Sequence, residues 1–169
     1  MSGLSAIIPV YQYHATEPVW RYFYSTDPDV QKGWVRDGIA FYAFADGVRG
    51  TASEVVRYYA KDKQPWRYLY SIKGDPEFLK KTPGWVIDGG TGVGNDRKFY
   101  AFYQPNMVPT YPVRPVYQFY AKDPQRYVYS LSSTPPAPGW TLENDPAVLV
   151  APGGVVFYVL DAGIPNAVF

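Results

Sequence analysis

Apolar and polar positions alternate along this chain with a period of two, and the alternation comes in three sets. The first runs Val10-Tyr11-Gln12-Tyr13-His14-Ala15, Trp20-Arg21-Tyr22-Phe23-Tyr24-Ser25, Gly33-Trp34 and Ala40-Phe41-Tyr42-Ala43-Phe44. It returns as Val55-Val56-Arg57-Tyr58-Tyr59-Ala60, Trp66-Arg67-Tyr68-Leu69-Tyr70-Ser71, Gly84-Trp85 and Phe99-Tyr100-Ala101-Phe102. The third set reads Val116-Tyr117-Gln118-Phe119-Tyr120-Ala121, Gln125-Arg126-Tyr127-Val128-Tyr129-Ser130, Gly139-Trp140 and Val156-Phe157-Tyr158-Val159. Successive side chains of a strand point to opposite faces, so each segment predicts a strand. Tyr22 and Tyr24 then share one face, and Arg21, Phe23 and Ser25 the other. The segment from Trp34 to Gly38 predicts a fourth strand, closed by a turn at the glycine. Residues 53–61 alone would pass for a capped helix, but their counterparts around Tyr11 and Tyr117 alternate, which makes this segment a strand. Asp27-Pro28 and Asp75-Pro76 each predict a helical turn, with an N-cap followed by proline, ended by Gly33 and Gly84. Thr134-Pro135-Pro136-Ala137-Pro138 excludes such a turn in the third copy.

Self-similarity at this period marks a repeat architecture whose units are too small to bury a face alone. The expected fold is all-β, about twelve strands in three repeats forming one pseudo-threefold body. A β-trefoil is the first reading and a β-prism the runner-up. The copies span about 6–46, 51–104 and 112–160 within a single domain covering 1–169. The second copy inserts a glycine-rich loop at 89–96, and the third inserts 144–153, a pair of loops expected on the binding side.

Composition narrows the function. With no cysteine, thiol catalysis, iron–sulfur clusters and cysteine-held zinc are excluded, and no cofactor or metal is expected. A reducing cytosol fits. The N-terminus has no basic segment ahead of a long apolar one, so cytoplasmic residence or leaderless secretion is expected. The 16 basic and 15 acidic residues leave a net charge of +1. That balance provides no electrostatic footprint for nucleic acid, and no run is long enough to span a membrane. Aromatic residues are abundant, at 17 Tyr, 9 Phe and 5 Trp, and within strands they favour half-buried pleated surfaces.

Catalytic sets are missing. His14 is the one histidine, and its counterparts are Tyr59 and Tyr120, which marks a shared surface aromatic position rather than a base. The 89–94 loop lacks the helix start that a phosphate cradle needs. Asp37, Asp88 and Glu143 fall at equivalent repeat positions, which sets them apart rather than within the about 5–10 Å that paired-carboxylate glycoside chemistry requires. The expectation is therefore no enzyme. The retained polar feature is an arginine ahead of each Tyr-x-Tyr-Ser strand: Arg21, Arg67 and Arg126. Trp20 and Trp66 precede the first two and Gln125 the third, while Glu17, Asp62 and Asp123 lie upstream. Two readings stay open, an arginine–carboxylate pair closing each hairpin and a repeated sugar pocket. In the pocket a ring stacks on a pyranose face while arginine and aspartate bind its hydroxyls. Candidate ligand-binding residues are Trp20, Arg21, Trp66, Arg67, Arg126, His14, Tyr59, Tyr120, Asp37 and Asp88. Trp34, Trp85 and Trp140 read as a core layer.

The pattern Val-Tyr-x-Tyr, Arg-Tyr-x-Tyr-Ser, Gly-Trp and Asp-Gly-x-Ala-Phe-Tyr-Ala resembles a repeat domain appended to many bacterial and fungal extracellular proteins. That family's His-Phe-Tyr-Thr strand reads Arg21-Tyr22-Phe23-Tyr24 here, so the role of its histidine does not carry over. In architecture the chain is also similar to fungal β-trefoil lectins, although the Gln-x-Trp motif of the ricin type is absent. Both resemblances imply carbohydrate binding. The function expected is a non-enzymatic lectin with up to three repeat-related glycan sites, partnered by glycans or glycoproteins. The alternative is a protein-binding module, such as a cytosolic protease inhibitor acting through loops 89–96 and 144–153. A third reading is homo-oligomerisation through the apolar tail Ile164-Pro165-Asn166-Ala167-Val168-Phe169.

Overall fold

A computed structural model describes residues 7–29, 32–60, 65–72, 84–87, 99–107 and 112–160. Among them the fold is all-β, built on a curled antiparallel sheet, with one short 3-10 turn at Val48–Gly50 and no α-helix. The first copy contributes β1 (Ile7–Ala15), β2 (Arg21–Ser25) and β3 (Val35–Phe44). The second contributes β4 (Ser53–Glu54), β5 (Val56–Ala60), β6 (Tyr68–Ser71), β7 (Trp85–Ile87) and β8 (Tyr100–Ala101). The third contributes β9 (Val113–Ala121), β10 (Arg126–Ser130), β11 (Thr141–Leu142) and β12 (Val155–Leu160). The main sheet runs β10-β9-β12-β3-β1-β2, with β11 on β9 and β8 joining β3 to β4, while β6-β5-β7 form a separate sheet.

Within each copy the first long strand pairs with the Tyr-x-Tyr-Ser strand: Gln12 opposite Tyr24, Arg57 opposite Tyr70, and Gln118 opposite Tyr129. The final strands pair between copies. Phe44 lies opposite Tyr100, Phe102 bridges Tyr158, and Leu160 lies opposite Tyr42. Each copy therefore touches the other two at this end of the sheet.

Strands β2, β6 and β10 each terminate their sheet order, so each has an open edge of backbone donors and acceptors. Tyrosine hydroxyls close these edges. The Tyr24 hydroxyl accepts the Tyr129 N–H at 2.9 Å and lies 3.0 Å from the Tyr129 carbonyl. The Tyr129 hydroxyl accepts the Tyr70 N–H at 2.7 Å and donates to the Tyr70 carbonyl at 3.1 Å. The Tyr70 hydroxyl accepts the Tyr24 N–H at 2.8 Å and donates to the Tyr24 carbonyl at 2.9 Å. The three rings stand 5.3–5.5 Å apart, nearly perpendicular to one another. That edge-to-face geometry suits the aromatic quadrupole. Burial pushes all three hydroxyls above the ordinary tyrosine range, so they stay protonated.

Phe41, Phe99 and Phe157 form the next layer, with centroids 5.6–6.1 Å apart in edge contacts. Phe44, Phe102 and Leu160 make a further buried cluster with Val48 and Ala52. Large aromatic side chains thus fill the core where smaller strand residues would leave voids.

Several local expectations need correction. Gly38 does not end a strand: β3 continues through it to Phe44, and register shifts between Val10/Tyr11 and Gln12/Tyr13 absorb the mismatch. At Asp27-Pro28-Asp29 the Asp27 carboxylate accepts the Asp29 N–H at 2.9 Å, the bond an N-cap makes, yet residues 27–29 are not helical, and residues 30 and 31 of the expected turn lie outside the described residues. The Asp75-Pro76 turn lies outside the described residues. Gly33, Gly84 and Gly139 sit at φ +88, +92 and +91 and lead into the tryptophan segment in every copy. A left-handed residue is what glycine supplies at no steric cost. Both faces of β2 are packed. Phe23 on its second face packs 5.6 Å from Trp34 and 4.9 Å from Tyr68.

Tyr70→Phe is expected to cost about 1–3 kcal/mol, because it leaves the buried Tyr24 N–H without its acceptor. Tyr103→Phe, at a side chain 43% exposed, should stay within about 0.5 kcal/mol. Urea denaturation midpoints check both; equal midpoints for the two variants would contradict the edge-closing role.

Candidate functional site

The retained arginines are scaffold elements of each copy. The Arg21 guanidinium lies 4.9 Å from the Trp34 ring centroid, Arg67 5.6 Å from Trp85, and Arg126 5.3 Å from Trp140. Each also ties a turn. Arg21 donates to the Glu17 carbonyl at 2.6 Å, and Arg126 to the Lys122 and Pro124 carbonyls at 3.0 and 3.1 Å. Arg67 reaches the Gln125 carbonyl of the third copy at 2.7 Å. The expected pairing of Arg21 with Glu17 through its carboxylate is not formed; the backbone oxygen is used instead. Desolvation pulls Arg21 and Arg126 below the ordinary arginine value, a cost that the facing indoles and carbonyls offset.

The tryptophans of this set lie between copies. Trp34 meets Tyr68 at 6.2 Å, Trp85 meets Tyr127 at 5.7 Å and Trp140 meets Tyr22 at 5.5 Å. Trp85 and Trp140 are buried, while Trp34 is only partly so. They form seams between neighbouring copies.

The exposed chemistry sits at the other tryptophans. Trp20, immediately before β2, is 45% exposed and stacks on His14 at 4.6 Å with the planes 6° apart. His14 lies opposite Tyr22 in the hairpin register, which brings its ring beneath the residue that precedes the strand. The His14 Nδ1 bonds the Asp37 carboxylate, and Gln12 donates to the same carboxylate at 2.8 Å. The Gln12 carbonyl oxygen in turn lies 2.8 Å from the Tyr24 hydroxyl. A hydrogen-bonded path thus runs from the half-buried imidazole to the buried tyrosine ring. It holds both edges of the carboxylate in place while one indole face stays open.

The second copy repeats the aromatic part. Trp66 is 44% exposed and lies 4.9 Å from Tyr59. Asp88 lies outside the described residues, as does the loop 89–96. The third copy lacks the pair. Tyr120 has Lys122 5.8 Å from its ring, and Gln125, in the tryptophan position, donates to the Tyr127 hydroxyl at 2.8 Å. Six of the expected residues therefore divide into two groups around the exposed indoles, His14/Trp20/Asp37 and Tyr59/Trp66, plus a lone Tyr120. Arg21, Arg67 and Arg126 are engaged behind them. Among the described residues no cluster of three or more His, Asp or Glu is placed to hold a metal ion.

Gln12 was not singled out by residue type, although its recurrence as Gln118 carried the signal. Gln118 donates to Glu143 at 2.9 Å, just as Gln12 does to Asp37. Glu143 is buried and accepts the N–H groups of Asn144 at 3.1 Å and Asp145 at 3.3 Å. Desolvation nevertheless raises its carboxyl above the ordinary value of 4.5, against the lowering effect of those bonds.

No protein-family model matches the chain, and no curated protein or solved structure was found similar to it. No helix among the described residues is long and apolar enough to cross a membrane.

A carboxyl raised on folding binds its proton more readily in the folded state. The associated stability is present below the ordinary value and is lost as pH rises through the raised folded value. Glu143→Gln should remove this loss, flattening the stability profile just above pH 4.5 relative to the parent. Denaturation midpoints across about pH 4–7 check it. Two curves of identical shape would contradict the assignment.

Proposed function

We propose that the protein is a non-enzymatic carbohydrate-binding module with two glycan sites, at Trp20/His14/Asp37 and at Trp66/Tyr59. The observation that carries this reading is the pair of exposed indoles at equivalent positions, each backed by a second ring. A pyranose has an apolar face that suits an open indole, and equatorial hydroxyls that suit a carboxylate and an imidazole at its edge. The first site provides all three groups on a hydrogen-bonded scaffold, so little side-chain freedom is lost on binding. The third copy, with Gln125 in place of tryptophan, is the copy without a site. Two weak sites on one body gain avidity for branched or clustered glycans on glycoproteins.

The body that presents them is a pseudo-threefold one, and a β-trefoil describes it better than a β-prism. Its support is the closed cycle of tyrosine hydroxyls and the pairing of final strands between copies, which three independent prism sheets would not make. The likeness of the repeat to the aromatic-rich domain of bacterial and fungal extracellular proteins favours the same function.

A glycan array followed by titration of any hit tests the reading. Trp20→Ala and Trp66→Ala should each weaken binding to a multivalent glycan by about tenfold or more, with the double variant abolishing it. The unfolding midpoint should hardly move, because both side chains are exposed. Folded protein that binds no glycan, or binding indifferent to both substitutions, would remove the proposal.

A further inference from the structure

The third copy contains an open cleft of about 600 Å³ that the carbohydrate reading does not use. Its volume falls in the range of small-molecule sites, about 300–1,000 Å³. The walls are apolar, from Leu142, Pro146, Leu149, Val150 and Pro152, and Glu143 is the one carboxylate that lines it. The cleft is held open by the backbone around it. Glu143 N–H donates to the Gln118 carbonyl at 2.8 Å, Gln118 N–H to Gly154 at 2.9 Å, and Val150 N–H to Val155 at 3.2 Å. Gly154, at φ +85, passes so near Leu142 that a Cβ there would lie 2.5 Å from its Cδ1. The leucine wall therefore depends on a glycine behind it.

Glu143 is the unusual group. It is only 7% exposed, and no described lysine or arginine forms an ion pair with it. A carboxylate offers about four lone-pair sites. Three are taken, by Gln118 and by the N–H groups of Asn144 and Asp145. All three donors are neutral. A buried anion surrounded by apolar walls, with an acceptor site to spare and no countercharge, is complementary to a cation that also carries an apolar body.

We propose that this cleft binds a small aliphatic or alicyclic amine, its hydrocarbon against Leu142, Leu149 and Val150 and its ammonium donating to Glu143. The burial that raises the Glu143 carboxyl also means that an ammonium beside it relieves a cost already present in the free protein. Anions are repelled by Glu143 and the nearby Asp145. A neutral alcohol of the same shape fills the walls but brings no charge.

Calorimetric titration of the full chain at neutral pH with cyclohexylamine, cyclohexanol and cyclohexanecarboxylate tests this. Saturable binding of the amine is expected, with the alcohol about tenfold weaker or worse and the carboxylate silent. Glu143→Gln should weaken the amine by about tenfold while leaving the alcohol unchanged. Ala151→Trp, which fills the cleft from its rim, should abolish both. Absence of amine binding by folded parent protein would overturn the proposal, as would equal affinity for amine and alcohol. Should Glu143→Gln fail to fold, the amine-to-alcohol ratio of the parent and the Ala151→Trp result decide the matter. Glycan binding by these variants is expected to match the parent, which keeps the two sites experimentally separate.

Discussion

Three sheet edges meet in the middle of this protein, and tyrosine hydroxyls satisfy them. An open strand edge carries backbone N–H and C=O groups that must find partners once water is excluded. Tyr24, Tyr70 and Tyr129 solve this by turning each hydroxyl onto the next backbone, where it both accepts and donates. A phenolic hydroxyl suits the task because it carries a donor and an acceptor on a rigid arm. The same rings bring their edges to one another's faces and rest near Phe41, Phe99 and Phe157, so polar closure and apolar packing use the same side chains.

The rest of the body follows from that ring. Because each hydroxyl engages another copy, no copy is complete alone, and the seams must be sealed farther out. Arginine and tryptophan do this: each arginine lies over the tryptophan of its own copy, and that tryptophan meets a tyrosine of another. At the opposite end the final strands pair between copies and bury Phe44, Phe102 and Leu160 together. The proposed binding groups sit at positions that the framework does not need. Trp20, Trp66 and the 142–153 segment are where the copies diverge or face solvent, and rigid scaffolds commonly carry binding groups at such places.

The strands were legible in the amino-acid pattern because alternation and its threefold recurrence agreed, overriding the helical propensity of residues 53–61. The matched residues Tyr24, Tyr70 and Tyr129 were equally visible as a set. Their hydrogen bonds were not, since nothing local distinguishes a tyrosine facing solvent from one facing a neighbouring edge. The arginines left two readings open. Recurrence drew attention to Arg21, Arg67 and Arg126 as ligand groups, yet recurrence also follows from a structural duty performed once per copy, and their guanidinium groups are taken by carbonyls and indoles. Gly38 misled for a related reason. A glycine following Arg36 and Asp37 resembles a turn, but register shifts in the partner strand let β3 run through it.

From the chain alone came the strand character, the absence of cysteine and the recurring aromatic positions. Those follow from periodicity and residue type, which are local properties. Which residues meet in space was settled only in three dimensions: the hydroxyl ring between copies, the His14–Trp20–Asp37 grouping within the first, and Glu143 in its apolar cleft within the third. These depend on contacts between positions far apart in sequence, where strand register and burial, rather than any nearby neighbour, determine what each side chain touches.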